Sequence, residues 1–185
     1  MGFGDKEINM SNLTPIRLNE LKLQANFLLK DLKSNSERAE AATSRFSKLP
    51  YFAHVLSDKS SLPVSQVRLK HAYEVIALEN DFPNWSSLRQ YVVEKDCLYR
   101  GSLVAFVHSW FQNYAEAEAY LNKNGGYLLA FWNDFIICGP EYVKGLGLHS
   151  YQSYWERIHY NWIKPADLQA WELLRSRAKE IYVNQ

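Results

Sequence analysis

The sequence predicts a mainly helical α+β chain, in which an N-terminal helical unit with a helix-turn-helix packs on a C-terminal unit of helices and one small antiparallel β-hairpin. Three observations carry that reading. Apolar residues recur at helical spacing from Ile16 to Leu49 and again from Leu69 to Val92. Two short apolar runs, Tyr127 to Trp132 and Phe135 to Cys138, meet at polar turn residues. A last helical pattern follows Pro165 and reaches about Tyr182. At 185 residues the chain can form one core or two small ones, and the pattern divides it into a loose tail at 1–14, a helical unit at 15–95 and a small α+β unit at 98–183.

Element by element, Thr14-Pro15 supplies a cap and a first-turn proline for a helix whose stripe is Leu18, Leu21, Ala25, Leu28, Leu29 and Leu32. Ser36 caps a second helix with Ala39, Ala42, Phe46 and Leu49 on one face, closed by Pro50. Residues 51–63, rich in Ser, Asp, Lys and Pro, read as loop with at most one helical turn. Ser65 opens the next helix, with Leu69, Ala72, Tyr73, Ile76 and Ala77 inward and Arg68, Lys70, Glu74 and Glu79 outward. Asn80-Asp81-Phe82-Pro83 turns the chain, and Asn84 caps a helix carrying Trp85, Leu88 and Val92, with Trp85 expected to be buried between the two helices. Leu98 to Phe111 is apolar and β-branched without clean periodicity and fits neither element type. Tyr114 to Leu121 reads as helix, stopped by Asn124-Gly125-Gly126. The two strands that follow join around Asn133-Asp134. Pro140 starts a short helix ended by Gly145 and Gly147, Ser150 to Ile163 is irregular around one helical turn, and Lys164-Pro165 launches the closing helix with Leu168, Trp171, Leu174, Ala178 and Ile181 inward.

Charge and cysteine usage narrow the function classes. Lys+Arg 21 against Asp+Glu 20 leaves a net +1, so no global field draws the chain onto nucleic acid or an anionic membrane. Cys97 and Cys138 belong to no Cys-x-x-Cys pair, which argues against a zinc knuckle and for reduced thiols in the cytoplasm. The start lacks the apolar stretch of a signal peptide, and no run is long enough to span a membrane.

The segment from Leu21 to Leu88 resembles a small helical segment of uncharacterised bacterial proteins, found ahead of ankyrin repeats and in glyoxalase-related proteins. The matching features are LKLQANFLLKDL, Arg45-Phe46 and RLKHAYEVIALENDFPNWSSL, whose family pattern is an aliphatic-Ala helix, a Gly-Phe turn and a Trp-x-x-Leu helix. Asp81 stands where that pattern has Gly. The second half, with GGYLLAFWNDFIIC and EYVKGLGL, resembles another uncharacterised bacterial family. The resemblance implies a helical fold for the first half and no particular activity for either.

Among the chemistry-bearing residues, His54, His71, His108, His149 and His159 lack metal-ligand spacing, so no metal is expected. No nucleophile elbow, Walker loop or dinucleotide fingerprint occurs, so no cofactor is expected. The second helix of the helix-turn-helix shows Asn84, Ser86, Ser87, Arg89 and Gln90, all base-reading types, yet Glu94 and Asp96 follow and no basic field surrounds them. Aromatics reach 15%, and their densest cluster joins His108, Trp110 and Tyr114 with Trp132, Asn133, Asp134, Trp155, His159 and Trp162. These rings either line one concavity or supply core and rim. A hairpin tip lies at the surface, so Trp132 is expected as an exposed anchor flanked by Asn133 and Asp134, the alternative being an indole folded under its own hairpin. The reading is a non-catalytic cytoplasmic binding module that holds a protein or small ligand through Trp132, Asn133, Asp134, His108, Trp110 and His159. Two alternatives stand beside it: an enzyme pairing His108 or His159 with Asp134 for acid-base chemistry, and a nucleic-acid binder acting through the helix-turn-helix.

Overall fold

The computed structural model describes residues 13–34, 36–52 and 62–184, and over them the chain is mainly helical with one small antiparallel sheet. The expected tail lies almost wholly outside the described residues, as do His54 and most of the expected loop at 51–63. The chain divides into two compact units between Tyr91 and Val92, inside one helix.

In the first unit α1 (Leu18–Leu32) buries Leu18, Leu21, Ala25, Leu28 and Leu32, the spacing that puts one side chain inward per turn. It packs on α2 (Arg38–Phe46), which buries Ala42 and Phe46, and on α3 (Leu69–Glu79), which buries Ala72, Val75, Ile76 and Ala77. Pro50 does not close α2. That helix ends at Phe46, and residues 50–52 are themselves helical, in keeping with proline's tolerance at a first turn. Ser65 lies in a 3-10 turn (Val64–Gln66) ahead of α3, whose N-cap is Arg68. His71 accepts the Arg68 backbone N–H on Nδ1 at 3.1 Å and stacks on Tyr51 at 5.6 Å, so it serves the helix start. Desolvation, followed by Lys70 and Arg68, holds its pKa below the usual histidine value.

Asp81 makes the turn after α3 with φ 64, the left-handed conformation that favours Gly at this position. Asn84 then caps α4 (Trp85–Asp96) as expected, its Oδ1 accepting from Ser87 N at 2.9 Å. Trp85 is half-buried rather than buried. Its ring stacks on Tyr73 at 4.4 Å and 16°, and its backbone N–H donates to Glu74 Oε2 at 3.1 Å, so it pins the turn without full burial.

The second unit holds the sheet, in the order β1-β3-β2. Its outer strand β1 (Val107–Phe111) lies in the stretch that showed no periodicity, after a 3-10 segment (Gly101–Phe106). Helix α5 (Tyr114–Asn124), capped by Asn113, leads to β2 (Tyr127–Phe131) and β3 (Asp134–Cys138). Gly126 is obligatory: φ is 107, and a Cβ there would lie 2.8 Å from Ile137 Cγ2 and 3.1 Å from the Cys138 carbonyl. Phe131 pairs with Asp134, so the loop residues are Trp132 and Asn133, one position earlier than the expected Asn133-Asp134 turn. One sheet face packs under α5 through Leu128, Ile137, Ala117 and Leu121. The other carries Tyr127, Leu129, Phe131, Ile136 and Cys138 into the main core with Tyr142, Trp155, Trp162 and Leu174.

The remaining helices are α6 (Pro140–Gly145), α7 (Gln152–Arg157) and α8 (Leu168–Val183). The closing helix starts later than Lys164-Pro165 predicts, because Asp167 caps it by accepting from Ala170 N at 3.0 Å while also pairing with Arg157. Leu168, expected inward, is 67% exposed, and the buried face runs through Ala170, Leu174 and Ala178. Glu94 holds α8 through Arg175, at 2.6 Å, and Lys179. Burial alone would raise the Glu94 pKa, but these two cations bring it below the usual carboxylate value. Among the described residues no helix is long and apolar enough to cross a membrane.

Candidate functional site

The sequence-derived site residues do not converge. Trp132 is 9% exposed and its indole Nε1–H donates to Asp96 Oδ1 at 2.9 Å, so the exposed-anchor expectation is corrected: the tip residue turns inward, in a left-handed backbone with φ 52. The reason is tertiary. Asp96 is a fully buried carboxylate, and an indole N–H and the Tyr182 hydroxyl, at 2.6 Å, are among the groups that donate to its two oxygens. Asn133 remains exposed at the loop and Asp134 half-buried beside it.

Trp155 and Trp162 belong to the core, at 0% and 7% exposure, so the concavity reading gives way to core and rim. Trp155 Nε1–H donates to the Leu148 carbonyl at 3.2 Å, satisfying its one polar atom inside. Tyr114 sits on the α5 side of the sheet, where its hydroxyl donates to Glu118 at 2.5 Å and accepts from Asn161 at 2.9 Å. Lys164 lies 4.3 Å from the centre of its ring.

The proposed acid-base pairing of Asp134 with a histidine is also corrected. His108 occupies the bulge between Val107 and Ser109, opposite the Cys138 end of β3, whereas Asp134 begins that strand. Four residues of strand rise place them roughly 13 Å apart along the sheet. His159 adjoins Tyr160, whose carbonyl accepts from Leu128 N opposite Ile137, again toward the far end. Neither histidine shares a hydrogen bond with Asp134 among the described residues. His108 instead approaches Gly139 together with Glu141: a Cβ on Gly139 would meet Glu141 Oε2 at 3.0 Å and His108 Nε2 at 3.1 Å. Among the described residues no group of three His, Cys, Asp or Glu side chains gathers to hold a metal.

What stands at the surface is the outer strand. Trp110 is 48% exposed, its ring edge-on to Phe131 at 5.4 Å, and Val104 and Phe106 just before the strand are also exposed. The two-residue loop makes Phe131 and Asp134 a hydrogen-bonded pair, so Ile136 also bonds β2 while Phe135 and Ile137 bond β1. Phe111 and Ser109 therefore face β3, and the N–H and C=O of Trp110 point away from the sheet. No residue of β1 carries a formal charge. Sequence reasoning included Trp110 and His108 but missed Val104 and Phe106, which give no periodic signal.

A second feature, absent from the sequence reading, surrounds Asp96. Arg100 donates through Nη1 to the Cys97 and Tyr99 carbonyls at 3.2 and 2.7 Å, and its guanidinium lies 5.2 Å from the centre of the Tyr182 ring. The Tyr142 hydroxyl accepts from Arg100 N at 3.2 Å and donates to the Leu98 carbonyl at 2.8 Å. Burial lowers the Arg100 pKa, against the attraction of Tyr142, Tyr182, Cys97 and Asp96. The thiols nearby are buried and free; burial pushes Cys97 up to about 12 and raises Cys138 as well. In the helical unit, a shallow depression is lined by Arg45, Lys48, Val75, Leu78 and Glu79, and there the Arg45 fork is filled by the Glu79 carboxylate. Compared with protein-family models, with curated proteins and with solved structures, the chain matches none.

Proposed function

We propose that the chain is a non-catalytic cytoplasmic binding module whose contact surface is the outer edge of β1, and that its partner is an extended segment of another protein. One observation carries the reading: Trp110 combines a half-exposed indole with backbone groups that face away from the sheet. An added strand satisfies such an edge through main-chain hydrogen bonds, and the neighbouring side chains supply selectivity. Trp110, with Val104 and Phe106 beside it, is the aromatic anchor of the contact, and an uncharged strand imposes no charge on the partner. His108 lies on that strand at its bulge, Asn133, Asp134 and His159 are peripheral to the edge in this reading, and the helical first half, with its resemblance to the bacterial segment, is scaffold. The cytoplasmic assignment rests on two unpaired thiols in the sequence.

The test uses a photo-crosslinking residue at position 106 and, as a control, at the exposed Leu168. A discrete adduct specific to position 106 identifies the partner, which is then purified. Binding to the purified partner should weaken by about tenfold or more for Trp110→Ser, the loss of one anchor. Equal affinity of the variant and the parent would overturn the proposal.

A further inference from the structure

The guanidinium of Arg100 is only half used. Its Nη1 side caps two carbonyls, but Nε and Nη2 are buried and have no hydrogen-bond partner among the described residues. Those two N–H groups share one edge of the planar group and point in parallel. The same edge of Arg45 receives both oxygens of Glu79, at 2.8 and 2.7 Å, so this chain already displays the geometry that completes such a fork. A guanidinium keeps its charge throughout the pH range of folded proteins, and two ionic donors withdrawn from water without an acceptor are costly. An open edge of that kind calls for an acceptor from outside the chain.

The surroundings select the acceptor. Asp96 contributes one negative charge to the neighbourhood, but its oxygens accept from Trp132 and Tyr182. Of the other cations on the facing helix, Arg175 and Lys179 are held by Glu94 and Arg177 by Glu180. A guanidinium fork with a carboxylate close by suits a planar monoanion better than a phosphate dianion. The rings of Tyr142 and Tyr182 suit an acid with an apolar body. We propose that the Nε/Nη2 edge of Arg100 is a binding site for the carboxylate of a small organic acid, with Tyr182, on the last turn of α8, as its cover. The site is separate from the β1 edge and does not depend on it.

The experiment compares the full chain in chloride with acetate, benzoate and inorganic phosphate at equal ionic strength and pH 7.5. Benzoate, and more weakly acetate, should raise the melting temperature of the parent by about 5 °C or more at a hundredfold excess over Kd. They should not do so for Arg100→Lys, which keeps a positive charge but loses the fork. An equal rise in both proteins, a rise with phosphate alone, or no rise in the parent would each overturn the site. If the variant does not fold, the Arg100 Nε–Hε NMR resonance of the parent decides: a saturable shift with benzoate supports the site, and an unmoved resonance refutes it.

Discussion

The indole of Trp132 reaches back across the sequence to Asp96 and donates to its carboxylate at 2.9 Å, so a residue at a hairpin tip closes the hydrogen bonding of a residue at a helix end. Trp132→Phe keeps most of the ring and removes that donor. Urea unfolding should then show a loss of about 1.5–3 kcal/mol, the range for a hydrogen bond to a charged group. Tyr182→Phe, which removes the donor at 2.6 Å, should cost a similar amount. A Trp132→Phe variant as stable as the parent would show that the bond contributes nothing net.

Trp85 contributes less than a buried tryptophan. Its half-exposed ring gains mainly from the stack on Tyr73, so Trp85→Ala should cost about 2 kcal/mol, below the ~3–5 expected for full burial. Leu88→Ala, at a fully buried position, should cost at least as much despite the smaller side chain. A double-mutant cycle between Tyr73 and Trp85 should return a coupling of about 0.5–1.5 kcal/mol.

Stability should fall above pH 9. Unfolded thiols ionise near pH 8.5, while burial holds the folded Cys97 thiol protonated to about 12 and raises Cys138 in the same direction. Between those values the unfolded chain binds fewer protons, so the contribution is complete below the unfolded pKa and is lost as pH rises toward the folded one. The slope is up to ~1.4 kcal/mol per pH unit for each thiol. Urea midpoints measured from pH 8 to 10.5 should decline less steeply for Cys97→Ala than for the parent. An equal decline would assign the effect to other groups.

Two adjacent glycines separate conformational from steric strain. At Gly125, φ is 73 and ψ −168, a backbone region open essentially to glycine alone, and nothing lies within 4 Å of an added Cβ, so Gly125→Ala should cost about 1–3 kcal/mol from the backbone alone. Gly126→Ala adds a clash with Ile137 and the Cys138 carbonyl and should cost distinctly more. Thermal melts of the two variants rank them directly.

The helical part of the fold was legible because α1 and α3 bury one face each, and that periodicity is written in their apolar residues. Strand β1 was not legible: its wet side carries Trp110 and its sheltered side includes Ser109, so hydrophobicity does not alternate with burial. The hairpin turn was placed one residue late because Asn and Asp are favoured turn residues, whereas the bond to a distant buried carboxylate fixes Trp132 in the loop. No local pattern marks Asp96 as buried, so neither the inward turn of Trp132 nor the open fork of Arg100 had a signal in the sequence. Leu168 misled for a simpler reason: Asp167, and not Pro165, sets the phase of α8.

The outer edge of β2 bonds with a loop that comes much later in the chain: the Leu128 N–H donates to the Tyr160 carbonyl, and the Leu128 carbonyl accepts from Trp162 N–H. A growing chain therefore exposes the hairpin with this edge unsatisfied until the segment behind α7 has also left the ribosome. His159 and Tyr160, both left-handed at φ 52 and 57, must bend into place before the edge is sealed. The interval between those two events is when a nascent chain has a bare strand to offer, and quality control on the ribosome would meet that strand before it met the finished fold.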